Sequence, residues 1–529
     1  MRKRTVLEAA GASLLLLPYY LPFLGTSNLA VYHHGLPVTN LIGGLLVDLL
    51  GIATLAFLFL FAIHYLPAAI ERVMLALFAG LMLWRMVDVL SQLLSSQIQV
   101  LYNEEGHIPW GPLSDLWIQI RKPSGIAVLL LAGILACALP RFTEPAVRTI
   151  RLAIAAFGFC ALWIVPQLLH RALIHRPDDP LASLNLPAPA SGTANRRIIW
   201  ILFDELSYDQ TFDHLAPGLV LPNFGRLRAE SVSFSDLKPT GFYTERIIPS
   251  LFLDRRIDRI RSTVDGELWY KDEQKNRWLA LDAGATLFGL AQRNGWSTGV
   301  EGFYNPYCHL LASVLNSCSW EPVAILPLEL HGVSEAKPWI ANAAILPGTL
   351  LAGLNTSASN PVDVGVPRYL KMMKEAQTMI EDSQIRFVFL HLPVPHPPGM
   401  YDRKRHTLRS GGNYLDNLAL ADDTLGTLLQ QINATPSAGE TTLVITSDHS
   451  WRIPIWLHSE GWTGEEERVS GGRFDDRPVL LVHFPGETAG KDVDAAVPEL
   501  LEHDMIAGML KGKINNPADL TEFVAKHGQ

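Results

Sequence analysis

The sequence predicts a multi-pass α-helical membrane anchor followed by an α/β three-layer sandwich with a mostly parallel sheet. Three observations predict it. Apolar stretches crowd the first third of the chain, a Pro/Ala/Ser-rich segment follows them, and beyond it two brief apolar runs, Arg197–Phe203 and Thr442–Thr446, end in Asp204-Glu205 and, one serine later, Asp448-His449. Such runs are where a parallel sheet delivers ligands, because open α/β sheets bind at the carboxyl ends of their strands.

The chain has 529 residues, 48% of them hydrophobic, and this is too apolar for a purely soluble enzyme. The surplus lies in Val6–Leu24, Leu41–Leu66, Val73–Leu94, Gly125–Leu139 and Ile150–Leu169. Most approach the ~20 residues that a bilayer requires, giving five expected transmembrane helices. The fourth is the shortest, and a re-entrant or interfacial segment is the alternative there. Arg2, Lys3 and Arg4 precede the first run, and Arg72, Arg141, Arg148 and Arg151 flank later loops. This charge bias places the N-terminus inside, and five spans then place the C-terminal domain outside the cytoplasmic membrane. A cleaved signal peptide would account for the first run alone, so that span is expected to be retained. Glu8, Asp48, Arg85 and Asp88 lie in or near apolar stretches; they could mark a headgroup path, or Arg85 and Asp88, three apart on a helix, could neutralise one another.

The expected organisation is an anchor at 1–170, a linker at 171–195 and an exported globular domain at 196–529. The linker begins near His170 and runs through Pro/Ala/Ser-rich sequence to Asn195. The remaining segment is long enough for one large α/β domain. A net charge of −9 without a basic stripe argues against nucleic acid as a partner. Cys137 and Cys160 fall in the apolar runs, where they behave as small hydrophobes. Cys308 and Cys318 are close enough in sequence for a disulfide in an oxidising compartment, with metal ligation as the alternative.

The candidate metal ligands follow from residue chemistry. Asp204 and Glu205 offer oxygen ligands after the first run, and Asp448 and His449 offer an oxygen and a nitrogen after the second, a mixed set suited to zinc or manganese. A divalent ion favours the alkoxide of a nearby hydroxyl and neutralises charge on a phosphoryl oxygen. Thr244 is the best hydroxyl, because Thr244–Phe252 can form a helix whose N-terminus favours an anionic adduct. Alternatively Thr244 is an N-cap, and Thr240 and Ser250 are lesser nucleophile candidates.

Several segments resemble the alkaline phosphatase and sulfatase superfamily, particularly its membrane-anchored phosphoethanolamine transferases and lipoteichoic acid synthases. Leu221–Phe234 is similar to the Pro-Asn, Leu, Gly-Val-x-Phe pattern that follows the first metal strand. Thr244 with Pro249 matches a Thr-x4-Pro nucleophile segment, His391 and His396 resemble the paired histidines, with Tyr401 in the continuation, and Asp448-His449 matches the late Asp-His. The resemblance implies a metal shell of Glu205, Thr244, Asp448 and His449, to which the residue chemistry adds Asp204. It also implies a phosphorylated Thr244, and a His396 that stabilises the phosphoryl group or protonates the leaving group. His391 either joins that work or holds its Pro-rich loop by a backbone hydrogen bond.

The implied function is metal-dependent transfer of a phospholipid headgroup, phosphoethanolamine or phosphoglycerol, to an envelope glycan or lipid acceptor. The alternatives are a membrane-anchored phosphate or sulfate ester hydrolase and an inactive relative with a binding role. Departures from the pattern bear on these. Ile247 stands where a sulfatase carries cysteine or serine, and Gly295–Tyr304 lacks the Lys and His of Gly-Lys-Trp-His, which disfavours sulfate ester hydrolysis. Ser450 replaces the glycine after Asp-His, and Asp476–Val479 lacks the later histidine, which leaves Arg477 as either a phosphate contact or a surface arginine.

Overall fold

A computed structural model describes residues 2–16, 39–105, 125–173, 196–262, 267–272, 275–322, 337–343, 365–457, 459 and 461–528. The chain divides into two compact units, the first holding described residues 2–173 and 337–343, the second 196–322 and 365–528. The expected linker lies outside the described residues from position 174 onward.

In the first unit the apolar runs become helices α1 (Arg2–Ser13), α2 (Thr39–Ala62), α3 (Ala68–Glu105), α4 (Gly125–Ala138), α5 (Pro140–Gly158) and α6 (Ala161–Leu173). Proline opens α5 at a position where a missing N–H costs nothing. Ala12, Leu15, Leu60, Phe78, Met82 and Ile154 form a shared core. Among the described residues two helices are long and apolar enough to cross a membrane, Thr39–Tyr65 and Pro140–Leu173, matching the second and fifth expected spans. The first run is described only as far as Leu16, and the side chains of the third are described only to Val87, so Asp88 lies outside. The fourth is a helix of 14 residues, short of a bilayer's thickness. Glu8 does not stand alone in its apolar helix: it is fully buried and takes ion pairs from Arg4 and Arg151, each at 2.7 Å. A short helix from late in the chain, Trp339–Asn342, belongs to this unit, where Asn342 Nδ2 donates to the Asn40 carbonyl at 3.3 Å.

The second unit is built on an eight-stranded sheet: β1 (Arg197–Phe203), β2 (Val232–Phe234), β3 (Thr298–Tyr304), β4 (Ser317–Pro322), β5 (Phe387–Leu392), β6 (Thr441–Thr446), β7 (Leu480–His483) and β8 (Lys491–Val493). Their order across the sheet is β8-β2-β7-β6-β1-β5-β3-β4, and only β7 runs antiparallel to its neighbours. β1 sits centrally, with Leu202 beside Thr446 of β6 on one side and beside His391 of β5 on the other. Its residues are buried throughout, as a strand covered on both faces requires.

Side-chain alternation along β1 divides the interior into two cores. Ile199, Ile201 and Phe203 pack with α7 (Pro222–Ala229), α10 (Gly365–Glu381) and α11 (Tyr414–Ala434), while Ile198, Trp200 and Leu202 pack with α8 (Thr244–Leu253), α9 (Leu287–Arg293) and α12 (Leu501–Leu510). This is a three-layer α/β architecture. The carboxyl ends of β1, β3, β5 and β6, mutually parallel, open on one edge of the sheet.

Candidate active site and metal centre

Chain geometry places the acids first. β1 ends at Phe203 and the backbone turns sharply at Glu205, a non-glycine residue at φ 71°. This left-handed conformation is held because the Glu205 amide donates to Asp448 Oδ1 at 3.1 Å and the Leu206 amide to Ser447 Oγ at 2.8 Å, and its carbonyl accepts from the Tyr414 hydroxyl at 3.0 Å. Backbone strain of this kind persists where surrounding contacts over-determine it. The ends of β1 and β6 are thereby locked together.

Asp204, Asp448 and His449 present ligand atoms within 4.8 Å of one another, all of them buried. Asp204 is fully buried, and among the described residues neither of its carboxylate oxygens has a hydrogen-bond partner. His449 Nε2 stands 3.8 Å from Asp204 Oδ1 and 3.1 Å from Asp448 Oδ2. The other ring nitrogen, Nδ1, donates to the Ser450 carbonyl at 3.1 Å, so Nε2 is the nitrogen turned toward the acids. An uncompensated buried carboxylate costs several kcal/mol, whereas a cation at this point would satisfy Asp204, Asp448 and His449 together. The donor set of two carboxylates, an imidazole and the Thr244 hydroxyl fits a zinc or manganese ion.

Thr244 is the first residue of α8, and the cap position before it is Tyr243, so its side chain is not the helix cap. Its hydroxyl instead donates to Asp448 Oδ2 at 2.6 Å and lies 3.3 Å from His449 Nε2. Burial works to raise the Asp448 carboxyl, but the His449 and His391 imidazoles and the Thr244 hydroxyl hold it well below the usual carboxylate range. Burial and Arg452 oppose charge on His449, yet Asp448 and Glu205 outweigh them and its pKa is raised. The turn leading to α8 is fixed from below, where the Thr240 amide donates to Glu499 Oε2 at 2.5 Å. Glu502, next to it, accepts from the Thr446 hydroxyl at 2.9 Å, and burial pushes its carboxyl up to about 8. Ser250 is spent on structure, donating to the Arg246 carbonyl at 2.6 Å and accepting from the Ile257 amide at 3.0 Å.

Glu205 is placed differently from the expected metal ligand. Its carboxylate accepts from the Arg452 amide at 2.6 Å and from Trp456 Nε1 at 2.7 Å, with the Arg452 guanidinium at 3.4 Å. Burial disfavours the charge on Arg452, but Glu205 and Asp204 hold it protonated. His391 is not a loop anchor either: it lies on β5, fully buried, with Nδ1 2.7 Å from the Tyr307 hydroxyl and Nε2 3.7 Å from Asp204 Oδ2. Gly302 of β3 permits this, since a Cβ there would fall 2.0 Å from the Tyr307 ring. His396 Nδ1 bonds to the Pro397 carbonyl, and its Nε2 lies 3.0 Å from Arg452 Nη2. A guanidinium can only donate, so Nε2 is an acceptor here and has no proton to give. His396 is therefore arranged as an acceptor toward Arg452, which bears on the second of its two expected roles, protonating the leaving group, and leaves the first, stabilising the phosphoryl group, open.

Arg477 is not a phosphate contact: it is held by Asp475 and Asp213, each at 2.8 Å, and by the Ser235 carbonyl. Tyr401 donates to Asp423 at 2.6 Å. Sequence reasoning missed Arg452, Trp456 and Tyr307. An arginine three residues after His449 was a readable signal, but an indole and a phenol that act through the fold carried none. Tyr304, at the end of β3, is a further addition; burial and Glu245 push its phenol well above the ordinary value, and it donates to Glu245 Oε2 at 3.2 Å.

No protein-family model and no curated protein matches the chain. Similar solved structures include a Bacteroides thetaiotaomicron protein from a locus for the metabolism of multiple glycosaminoglycans, 14% identical, covering 64% of this chain and 83% of its own, with a TM-score of 0.44. A phosphonate monoester hydrolase of Agrobacterium radiobacter is 14% identical over 60% of this chain and 74% of its own, with a TM-score of 0.37. A protein in the alkaline phosphatase superfamily from Vibrio parahaemolyticus is 14% identical over 63% of this chain and 74% of its own, with a TM-score of 0.35.

Proposed function

We propose that the second unit is a metal-dependent phosphoryl-group transferase with Thr244 as nucleophile, moving a phosphoethanolamine or phosphoglycerol headgroup from a phospholipid to an envelope glycan or lipid acceptor. The observation that carries this reading is the Thr244 hydroxyl, 2.6 Å from Asp448 and 3.3 Å from His449, in a cluster with Asp204, whose two buried oxygens have no donor among the described residues. Asp204, Asp448, His449 and Thr244 would hold a zinc or manganese ion, and Glu205 is left out of that shell because Arg452 and Trp456 occupy it. When bound, such an ion stabilises the alkoxide and neutralises charge on the phosphoryl oxygens.

In the first half of the reaction Thr244 Oγ attacks the donor phosphorus, the new Oγ–P bond forms, and the P–O bond to diacylglycerol breaks. The hydroxyl proton ends on the departing diacylglycerol oxygen. In the second half an acceptor hydroxyl attacks the same phosphorus and the Thr244 Oγ–P bond breaks, restoring the threonine. Overall the acceptor's proton replaces the one that the threonine lost, so none is consumed. The Nε2 of His396, 3.0 Å from Arg452 Nη2, is placed to orient that acceptor. The two apolar helices of the first unit support a membrane location, and the five-span anchor with its catalytic domain outside the cytoplasmic membrane belongs to the same proposal.

Purified full-length protein in detergent, incubated with mixed phospholipids and zinc or manganese, is expected to acquire a headgroup phosphodiester on Thr244, read by peptide mass spectrometry and absent from Thr244→Ala. The adduct mass names the headgroup. Release of headgroup to water without any acceptor product would favour the hydrolase. No adduct, with Thr244→Ala equal to the parent in every turnover assay, would sink the enzymatic reading.

A further inference from the structure

Away from the proposed catalytic centre, the first unit contains a cavity of about 500 Å³ lined by Arg4, Arg72, Arg148 and Arg151, with Glu71 and Glu144 among them. We propose that this cavity binds the phosphate of an anionic phospholipid in the leaflet next to the N-terminus. The proposal is independent of the reaction above.

The charges are not self-cancelling. Glu8 is occupied by Arg4 and Arg151, Glu144 by Arg72 at 2.8 Å, and Glu71 by His64 at 3.2 Å. Arg148 is exposed and has no acidic partner among the described residues. It lies one turn from Arg151 on the same face of α5, so the two guanidinium groups point at one space from adjacent turns. Planar guanidinium forks match phosphate oxygens better than isolated lysines do.

The surroundings favour a lipid phosphate over a soluble one. Leu75, Ala76 and Val147 line the same cavity, giving it an apolar wall beside the arginines. The cavity also lies where both candidate membrane helices terminate: α3 begins three residues after Tyr65, and Arg148 and Arg151 fall in the first half of the Pro140–Leu173 segment. Basic pockets between helices at such a boundary attract anionic headgroups. An apolar cavity of about 1160 Å³, lined by Ala12, Met74, Leu81 and Leu130, shares helices α1 and α3 with it and offers acyl chains a neighbouring surface.

The test uses full-length protein exchanged into mixed micelles with equal phosphatidylglycerol and phosphatidylcholine, the retained lipid being measured by native mass spectrometry. The parent is expected to retain phosphatidylglycerol in preference to phosphatidylcholine by about tenfold, the order of one charge-assisted contact. Arg148→Gln should abolish that preference. Arg141→Gln, which removes the same charge outside the cavity, should leave it intact, and Arg148→Lys should keep part of it. Equal retention of the two lipids by the parent would overturn the proposal. So would equal losses in the Arg148 and Arg141 variants, which would mean diffuse surface charge. Displacement of the lipid by millimolar inorganic phosphate would reassign the cavity to a soluble phosphate, whereas retention of lipid under that challenge supports the lipid source.

Discussion

His391 Nε2 stands 3.7 Å from Asp204 Oδ2, and among the described residues neither atom has a hydrogen-bond partner. Both are fully buried, so the pair faces a point that only a further group can satisfy. It follows that Asp204 weakens the metal-free fold. Asp204→Asn should raise the melting temperature of the chelator-treated protein, by an amount equivalent to ~1–3 kcal/mol. The same variant should lose the stabilisation that saturating zinc or manganese gives the parent, which scales with ligand concentration over Kd. Scanning fluorimetry with and without metal checks both. A variant less stable than the parent without metal would contradict the proposed strain at Asp204.

Glu205 and Arg452 form a buried, charged pair of a different kind, satisfied within the protein. Removing one member leaves the other exposed to the full burial penalty. Arg452→Met is expected to cost ~3–5 kcal/mol, and the double variant Glu205→Gln/Arg452→Met clearly less than the sum of its single variants. Thermal midpoints of the four proteins in one detergent complete the cycle. Additive losses would show that the pair is not coupled.

Glu502 gives the stability a pH dependence. Its folded carboxyl titrates at about 8 against 4.5 for the ordinary group, because burial outweighs the hydrogen bond from Thr446. The native state thus keeps a proton that the unfolded chain has already released. Stability from this group is complete below about 4.5 and is lost as pH rises through about 8. Glu502→Gln should leave the midpoint at pH 4.5 nearly unchanged and raise it at pH 8.5, by a few kcal/mol of stability. An unchanged pH slope would remove Glu502 as its source.

Cys308 and Cys318 are joined as a disulfide with a Cα–Cα distance of 5.6 Å, so they are not a metal pair. The bond closes a loop of 10 residues' separation beside β4. Its removal by Cys308→Ser/Cys318→Ser should cost ~2–3 kcal/mol, following the loop-closure relation. Non-reducing peptide mapping of protein exported to an oxidising compartment should recover the two cysteines in one linked peptide. Recovery as free thiols would contradict the pairing.

The sheet was legible in the sequence because an unbroken apolar strand running into acids is the pattern that a parallel sheet covered on both faces imposes, and the structure puts Arg197–Phe203 at the centre of eight strands. That Thr244, Asp448 and His449 would meet was legible for the same reason: strand ends and a helix start converge at the carboxyl edge of a parallel sheet. Glu205 was not, since adjacent carboxylates look alike in sequence and only the turn at φ 71° separates Asp204 from its neighbour. His396 was readable as a histidine, but its hydrogen-bond partner was not, because Arg452 reaches it from another loop. Arg477 shows the converse. An arginine near a presumed phosphate site was ambiguous until Asp213 and Asp475 were seen to enclose it.

The link between the Glu205 amide and the Asp448 side chain joins positions 243 residues apart. A ribosome has therefore released almost the entire chain before the second half of the centre exists, and the first carboxylates must wait without their partners. Any product truncated ahead of His449, by a premature stop or by a protease, retains the candidate membrane helices but lacks the imidazole that stands beside Asp204 and Asp448. Such a fragment would keep the first unit's helices and lose the convergence of strand ends that defines the candidate centre.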